Sequence, residues 1–440
     1  MTAGNNSTFC GASPTWANAC VGNNGSPGYH EYATGFSKAA NTLIDQVLAG
    51  RGLELNVDDL VYPVCFNMRH SVELRLKEAI ESLGHVARAR GRSLTFDLAG
   101  SHDIGNIWKY FRRESEVLDR RYIEVNESLD STISDLADVD ATGQVFRYPE
   151  SNESHKHLTE ISLINFFNLK VKFGELEDRL ELLSRLNVFL REEYCQGTFT
   201  SKFSRALIYK LARDLPHKSS WVDDSFLAVK ASLMAKYEVG SKELARAIDK
   251  IKSHYYLAAM IDAPLPLKGM DREQILVFFD LWVPQNPHVL EAREPVIESY
   301  DSSEGIRTLI AEMVERADVG SKVWKEISHR ITPEFLAGIN ALFYFARDKT
   351  YVEFYDRLYA QELAESNTYF QWGGDHVKNS FMHIYQKANA MDNMLISLYA
   401  LGHASLAEEI LERYGVGHNF DWLESARSGQ LFDYPEYAQY

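Results

Sequence analysis

The sequence predicts an all-α protein, and three observations carry that expectation. Apolar residues recur at steps of three and four through both halves of the chain, the period of a helix with one buried face. Alternation at period two, the mark of a half-buried strand, is sustained almost nowhere. Proline-bearing stretches at 263–269 and 283–295 fall between periodic segments and separate them. With 440 residues, 45% hydrophobic and 25% charged, the chain has the composition of an ordinary globular protein of two or three domains.

Residues 1–30 are rich in Asn, Gly, Ser and Thr and are expected to form a polar, loosely packed segment. They lack a basic start and an apolar run, so neither a signal peptide nor a membrane anchor is expected. No later stretch is long and apolar enough to span a bilayer. The four cysteines, at 10, 20, 65 and 195, contain no CxxC pair and are too sparse for a disulfide scaffold. The expectation is a cytoplasmic protein without membrane contact, metal or cofactor.

Residues 31–195 read as a helical bundle. Phe36, Ala39, Ala40, Leu43, Ile44, Val47 and Leu48 mark a first helix that stops at Gly50. Cys65, Met68, Val72, Leu76, Ala79 and Leu83 mark a second, with Pro63 suited to its first turn and Gly84 to its end. Ser101 is placed to cap a third helix whose stripe is Ile104, Ile107, Trp108 and Phe111. A fourth runs from about Tyr122 to Val139, Asp138 to Gly143 ends it, and Phe146-Arg147-Tyr148-Pro149 follows as an extended segment. From Ile161 to Tyr194 the apolar residues indicate one long helix, or two broken near Gly174.

Residues 196–440 form a larger helical region with a sub-boundary near 263–295. Helical segments are expected near 204–214, 225–237, 242–260, 272–281, 305–317 and 333–347. Beyond them, 352–366, 377–400 and 405–414 look like stacked hairpins of an α-solenoid, although no fixed period emerges. The aromatic run Tyr369-Phe370-Gln371-Trp372 fits core or turn packing better than a binding loop. The acidic, tyrosine-rich tail from Phe432 to Tyr440 is placed to dock on a partner or on its own core.

Function can be argued in one stretch. Arg69, Glu73 and Lys77 fall at i, i+4 and i+8 of the second helix, beside its apolar stripe, and His70 lies next to them. From spacing alone, such a line is a solvated charge ladder contributing about 0.2–0.5 kcal/mol per pair. His102 and Asp103 fall in the first turn of the third helix, where the dipole favours an Asp and a His can bond to a neighbouring helix. No P-loop, dinucleotide fingerprint, HExxH or nucleophile elbow occurs, which removes support from most enzyme classes. The net charge of −16 argues against a general nucleic-acid binder, because phosphate attraction needs a positive field. Yet residues 66–121 carry eleven Lys and Arg against eight Asp and Glu, which permits a local phosphate site.

Tyr62-Pro63 running into RHSVELRLK at 69–77, then SHDIGNIW at 101–108, then FRYP at 146–149, resembles the HEPN superfamily over residues 32–194. The resemblance implies an Arg-His-x-x-Glu-x-x-x-Lys helix packed on one opened by His-Asp, in a bundle that dimerises. It implies a metal-independent ribonuclease of a toxin–antitoxin or anti-phage system, or a non-catalytic adaptor or sensor that binds a nucleotide or a protein partner. On the catalytic reading Arg69, His70, Glu73 and His102 carry 2′-OH attack, with a His as acid or base and an Arg neutralising the phosphorane. Lys77, Asp103 and Arg147 would hold RNA or nucleotide, and the C-terminal region would take the protein partner. One departure stands out: the superfamily's ribonucleases usually carry Arg, four to six residues, then His, and this bundle lacks that spacing. Arg147 and His155 are too far apart, and Arg413 and His418 lie in the other half, across a helix end and turn. The resemblance therefore bears on the fold more than on the activity.

Overall fold

The structure, a computed structural model, describes residues 7–22, 24–51, 53–151, 155–290, 320–432 and 434–439. It is all-α: among the described residues there is no strand, only an isolated bridge between Glu150 and Lys156. No helix of these residues is long and apolar enough to cross a membrane. The chain divides into two compact units, Met1–Glu192 and Glu193–Tyr440.

The first unit is built on a single long helix. α1 (Tyr29–Ala49) begins where the Glu31 carboxylate accepts from the Gly28 amide at 2.7 Å. α2 (Val57–Ala89) begins at Asn56, whose side chain accepts from the Asp58 amide at 3.1 Å. It is longer than its sequence suggests at both ends. Pro63 lies inside it instead of in its first turn, because the Asn56 cap and the acidic pair Asp58 and Asp59 start the helix earlier. Gly84 is also interior. Termination comes at Gly91, whose φ of +69° turns the chain while Arg92 N bonds to Ala87 O at 2.8 Å.

α3 (Ile104–Leu118) is capped by Asp103, whose carboxylate accepts from Asn106 N at 2.9 Å; the expected cap, Ser101, stands two residues too early. α4 (Tyr122–Asp140) follows. α5 (Phe166–Cys195) runs unbroken through Gly174. Within the first unit α5 is tied to α4 by Tyr122 Oη donating to Asn187 at 2.7 Å, and to α1 by Asn41 donating to Glu177 at 2.9 Å. α1 and α3 both pack on α2, and buried residues lie all round its middle, from Met68 to Lys77. A helix enclosed this way cannot have a solvated charge ladder on it.

The second unit has two cores. The smaller joins α6 (Arg205–Asp214), α7 (Ser225–Tyr237), α8 (Ser241–Lys252) and α9 (Tyr255–Met260) around Tyr209, Leu211, Ile251 and Leu257. The single segment expected over 242–260 is broken at Ser253, and His254 caps the new helix by accepting from Leu257 N at 3.3 Å. The larger core joins α10 (Arg272–Trp282), α11 (Pro333–Phe345), α12 (Phe354–Trp372), α13 (Gly374–Tyr385), α14 (Ala390–Ala400), α15 (Ala404–Tyr414) and α16 (Leu423–Arg427). Its centre is α11, buried on all sides against α12, α13 and α14. The helix expected over 305–317 lies outside the described residues.

Tyr369 and Trp372 belong to the last turn of α12, which ends at Gly373 with φ +120°, so this aromatic run is helical and not a loop. The tail docks on its own unit: Phe432 meets Tyr256 edge-on at 5.0 Å, Tyr434 Oη donates to Thr350 O at 3.2 Å, and Ala438 is buried. Beneath it lies a buried polar cluster. Arg205 pairs with Glu353 and donates to Tyr209 Oη at 3.1 Å, and His254 Nε2 stands 3.4 Å from the same carboxylate. Burial alone would raise the Glu353 pKa, but the hydrogen bond from His254 and the charge of Arg205 hold it well below the usual range.

Because α11 has no exposed face, Leu336→Ala should lower stability by about 2–5 kcal/mol through transfer and cavity terms. The expected outcome is a lower midpoint for one thermal transition of the full chain, followed by circular dichroism at 222 nm. A midpoint within error of wild type would show that α11 is not a core helix.

Candidate functional site

The charged residues of α2 come together around one carboxylate. Glu73 is almost wholly buried; its Oε2 accepts from Arg69 Nη1, and its Oε1 faces Lys77 Nζ at 2.9 Å and His102 Nδ1 at 3.0 Å. His70 Nδ1 lies 3.8 Å from Oε2. Arg69, Glu73 and Lys77 share one helix face, as their spacing requires, and that face is covered by the start of α3 and the end of α4.

Arg69 is used up inside this corner. Its Nε donates to Asp140 O at 3.1 Å, and its Nη2 donates to Ala141 O at 2.6 Å and to His102 O. Asp140 and Ala141 end α4, so the guanidinium satisfies carbonyls that helix geometry leaves unpaired. Ala141 O also accepts from Ile104 N at 2.9 Å, which brings the start of α3 to the same point. Gly143 closes the turn at φ +76°, a conformation that favours glycine, and a Cβ there would stand a tight 3.0 Å from Arg69 Nη1.

Burial by itself would raise the Glu73 pKa, but the His70 imidazole beside it, hydrogen bonds from Lys77 and His102 and the charge of Arg69 hold it far below the carboxylate range. Cys65, one turn before Arg69, behaves oppositely. Burial, aided by Asp140, pushes its thiol up to about 12, so it is a packing group and not a nucleophile.

Four of the expected site residues, His102, His70, Arg147 and Asp103, reach solvent. The His102 side chain is 61% exposed and that of His70 28%. The His102 ring turns Nδ1 toward Glu73, so Nε2 is the nitrogen not facing that carboxylate. His70 lies parallel to Phe66, centroids 5.6 Å apart, and meets Phe36 edge-on at 4.5 Å. Arg147 is exposed and sits over Phe66 at 5.6 Å and over Tyr148 at 5.3 Å, so it adjoins His70 through one ring. Arg69, Glu73 and Lys77 have no exposed surface with which to touch a substrate, and Asp103 is occupied as the α3 cap. Arg413 is elsewhere, in a surface pair with Asp280 at 2.7 Å. Among the described residues no group of three or more His, Cys, Asp and Glu is arranged to hold a metal.

Sequence reasoning missed Phe36 and Phe66, which hold His70, and the carbonyls of Asp140, Ala141 and His102. Phe66 could have been found, since it stands one turn before His70. The carbonyls could not, because any residue supplies one.

Two outcomes follow. Arg69→Met should destabilise the first unit by about 3–5 kcal/mol, because it takes the paired cation from buried Glu73 and a donor from each of three carbonyls. As pH falls, the unfolded chain takes up the Glu73 proton before the folded chain does. Stability from this network is therefore complete above about pH 5 and declines below about pH 4. Urea unfolding at stepped pH should show that decline in the wild type and a shallower one in Glu73→Gln.

Compared with protein-family models, with curated proteins and with solved structures, the chain gives no match in any of the three.

Proposed function

We propose that the first unit is a HEPN-like bundle that acts on RNA without a metal, through His102 and His70 with Glu73 as the group that orients them. The observation behind this reading is one buried carboxylate with an imidazole at each oxygen, both imidazoles reaching solvent. Such a pair suits cleavage by internal attack. One His takes the proton of a ribose 2′-hydroxyl, the 2′-oxygen bonds to phosphorus, the bond from phosphorus to the 5′-oxygen breaks, and the second His protonates that leaving oxygen. The products are a 2′,3′-cyclic phosphate and a 5′-hydroxyl. Arg69 then acts as a positioning residue, and Arg147, an exposed cation that shares the Phe66 ring with His70, could neutralise phosphate charge.

A second reading is favoured by the burial of Arg69, Glu73 and Lys77. Those groups form a fully engaged network that locks three helices, which a non-cleaving adaptor or sensor would need as much as an enzyme. On either reading the second unit senses, regulates or recruits a protein partner, and the setting is a cytoplasmic toxin–antitoxin or anti-phage system. A homodimer through the first unit belongs to the same proposal. Phe167, 68% exposed, and Val171, 58% exposed, lie one turn apart near the start of α5, and Leu163, 92% exposed, stands just before that helix, so apolar side chains are exposed there in the single chain.

Expression of the chain should arrest growth, and purified protein should cleave RNA in EDTA. His102→Ala and His70→Ala should abolish cleavage while shifting the melting temperature little, since both rings are partly exposed. Intact activity in both variants would remove the site, and a fall in melting temperature with no activity in the wild type would favour the adaptor. For the dimer, Phe167→Glu should convert the full chain from twice its monomer mass to its monomer mass in light scattering. A wild-type monomer at micromolar concentration counts against it.

A further inference from the structure

The segment at 7–22 is exposed at every residue, and it carries two of the four cysteines, Cys10 and Cys20, both as free thiols. A tight reversal lies between them. Ala17 N bonds to Pro14 O at 3.1 Å and Asn18 N to Thr15 O at 3.2 Å, around a single 3-10 turn at Thr15–Ala17. Asn18 then clasps the incoming chain: its Oδ1 accepts from Ala12 N at 2.9 Å and its Nδ2 donates to Ala12 O at 3.0 Å. One side chain thus holds both polar groups of one peptide residue. The clasp sets a register, because Cys10 stands two residues before Ala12 and Cys20 two residues after Asn18, and the chain leaves Asn18 in extended backbone at φ −81° and ψ 126°. Gly11 runs beside the clasp, where a Cβ would lie 3.8 Å from Asn18 Oδ1.

Facing residues of a reversed chain have Cα atoms about 4.5–5.5 Å apart, inside the span of about 4.4–6.8 Å that a disulfide bridges. The thiols' own contacts are weak ones: Cys10 Sγ lies 3.6 Å from Ser7 O, and Asn24 Nδ2 donates to Cys20 Sγ at 3.1 Å. We propose that Cys10 and Cys20 are a redox modification site, closing to a reversible disulfide when a small disulfide such as oxidised glutathione is in excess. The other two cysteines are placed differently, Cys65 buried in α2 and Cys195 in the second unit. The chemistry is thiol–disulfide exchange in two steps. One thiol gives its proton to water and attacks a glutathione sulfur; the glutathione S–S bond breaks, one glutathione thiolate leaves and takes up a proton, and a mixed disulfide remains. The second thiolate attacks the protein sulfur of that mixed disulfide and expels the other glutathione. Two protein thiols are oxidised and one glutathione disulfide is reduced to two thiols. An exposed bridge of this kind is labile, open where glutathione is mostly reduced and closed where it is oxidised. Closure restrains the nine residues from Gly11 to Ala19, with Trp16, 86% exposed, at their middle. Residues 10–20 precede the stretch at 32–194, so neither reading of the first unit's function bears on them.

The test equilibrates the full chain, without air, in mixtures of reduced and oxidised glutathione, quenches by alkylation in denaturant and maps the peptides by mass spectrometry. Oxidising mixtures should give a linked Cys10–Cys20 peptide and a chain lighter by two hydrogens, with Cys65 and Cys195 alkylated, and dithiothreitol should reverse it. Cys20→Ser should stop at the glutathione adduct of Cys10. Asn18→Ala should lower the equilibrium constant for closure by about tenfold, since the clasp no longer presets the register. Because the whole segment is exposed, both variants leave the packed cores untouched. Glutathione adducts on both cysteines with no bridge at any ratio would overturn the proposal. So would bridges that run mainly to Cys195 or to a second molecule, or closure as complete in Asn18→Ala as in the wild type.

Discussion

The first unit depends on where the guanidinium of Arg69 is held. A buried arginine is tolerable only when its charge and its donors are both answered, because desolvation costs several kcal/mol and a missing partner adds to that. Here Glu73 answers the charge, while the carbonyls of Asp140, Ala141 and His102 take the remaining donors. The four acceptors belong to three pieces of chain: α2 itself, the end of α4 and the approach to α3. One side chain therefore fixes how three helices meet. Apolar packing alone would leave their register looser, since dispersion contacts have little directional preference.

The same bonds set the chemistry of the surface above them. Glu73 stays ionised because Arg69, Lys77 and His102 donate to it, and its carboxylate is what orients the His102 ring. Structure and candidate function thus share a group, and they separate only at the exposed imidazoles. The second unit repeats the principle with Arg205, Glu353 and His254, where a buried arginine and a histidine share a carboxylate under the docked tail. There His254 is deeply buried and its other nitrogen is spent on capping α9, so that cluster reads as structural. The two clusters are alike in composition and differ in the accessibility of their imidazoles.

Several features of the first unit are legible in the amino-acid sequence. Helical period locates α1 to α5, and the i, i+4, i+8 spacing puts Arg69, Glu73 and Lys77 on one face. Boundaries are less legible. Pro63 and Gly84 are interruptions that the packing of α2 overrides, and Asp103 displaces Ser101 as a cap because the turn after Asp97 delays the helix start. The long segments at 242–260 and 377–400 are each two helices, since their breaks, at Ser253 and Gln386, carry no proline or glycine to mark them.

By itself the sequence determined the all-α class, the order of the helices and the grouping of the charged residues on α2, since each follows from chemistry within a few turns of chain. Only the tertiary structure decided that this charged face is buried. It also decided that Arg69 serves backbone carbonyls of residues 102, 140 and 141, and that His102 and His70 are the members left at the surface. The reason is physical: spacing along a helix says which side chains share a face, but whether that face meets water or another helix depends on chain tens of residues away. The decisive acceptors there are peptide groups, which every residue has and no sequence pattern marks.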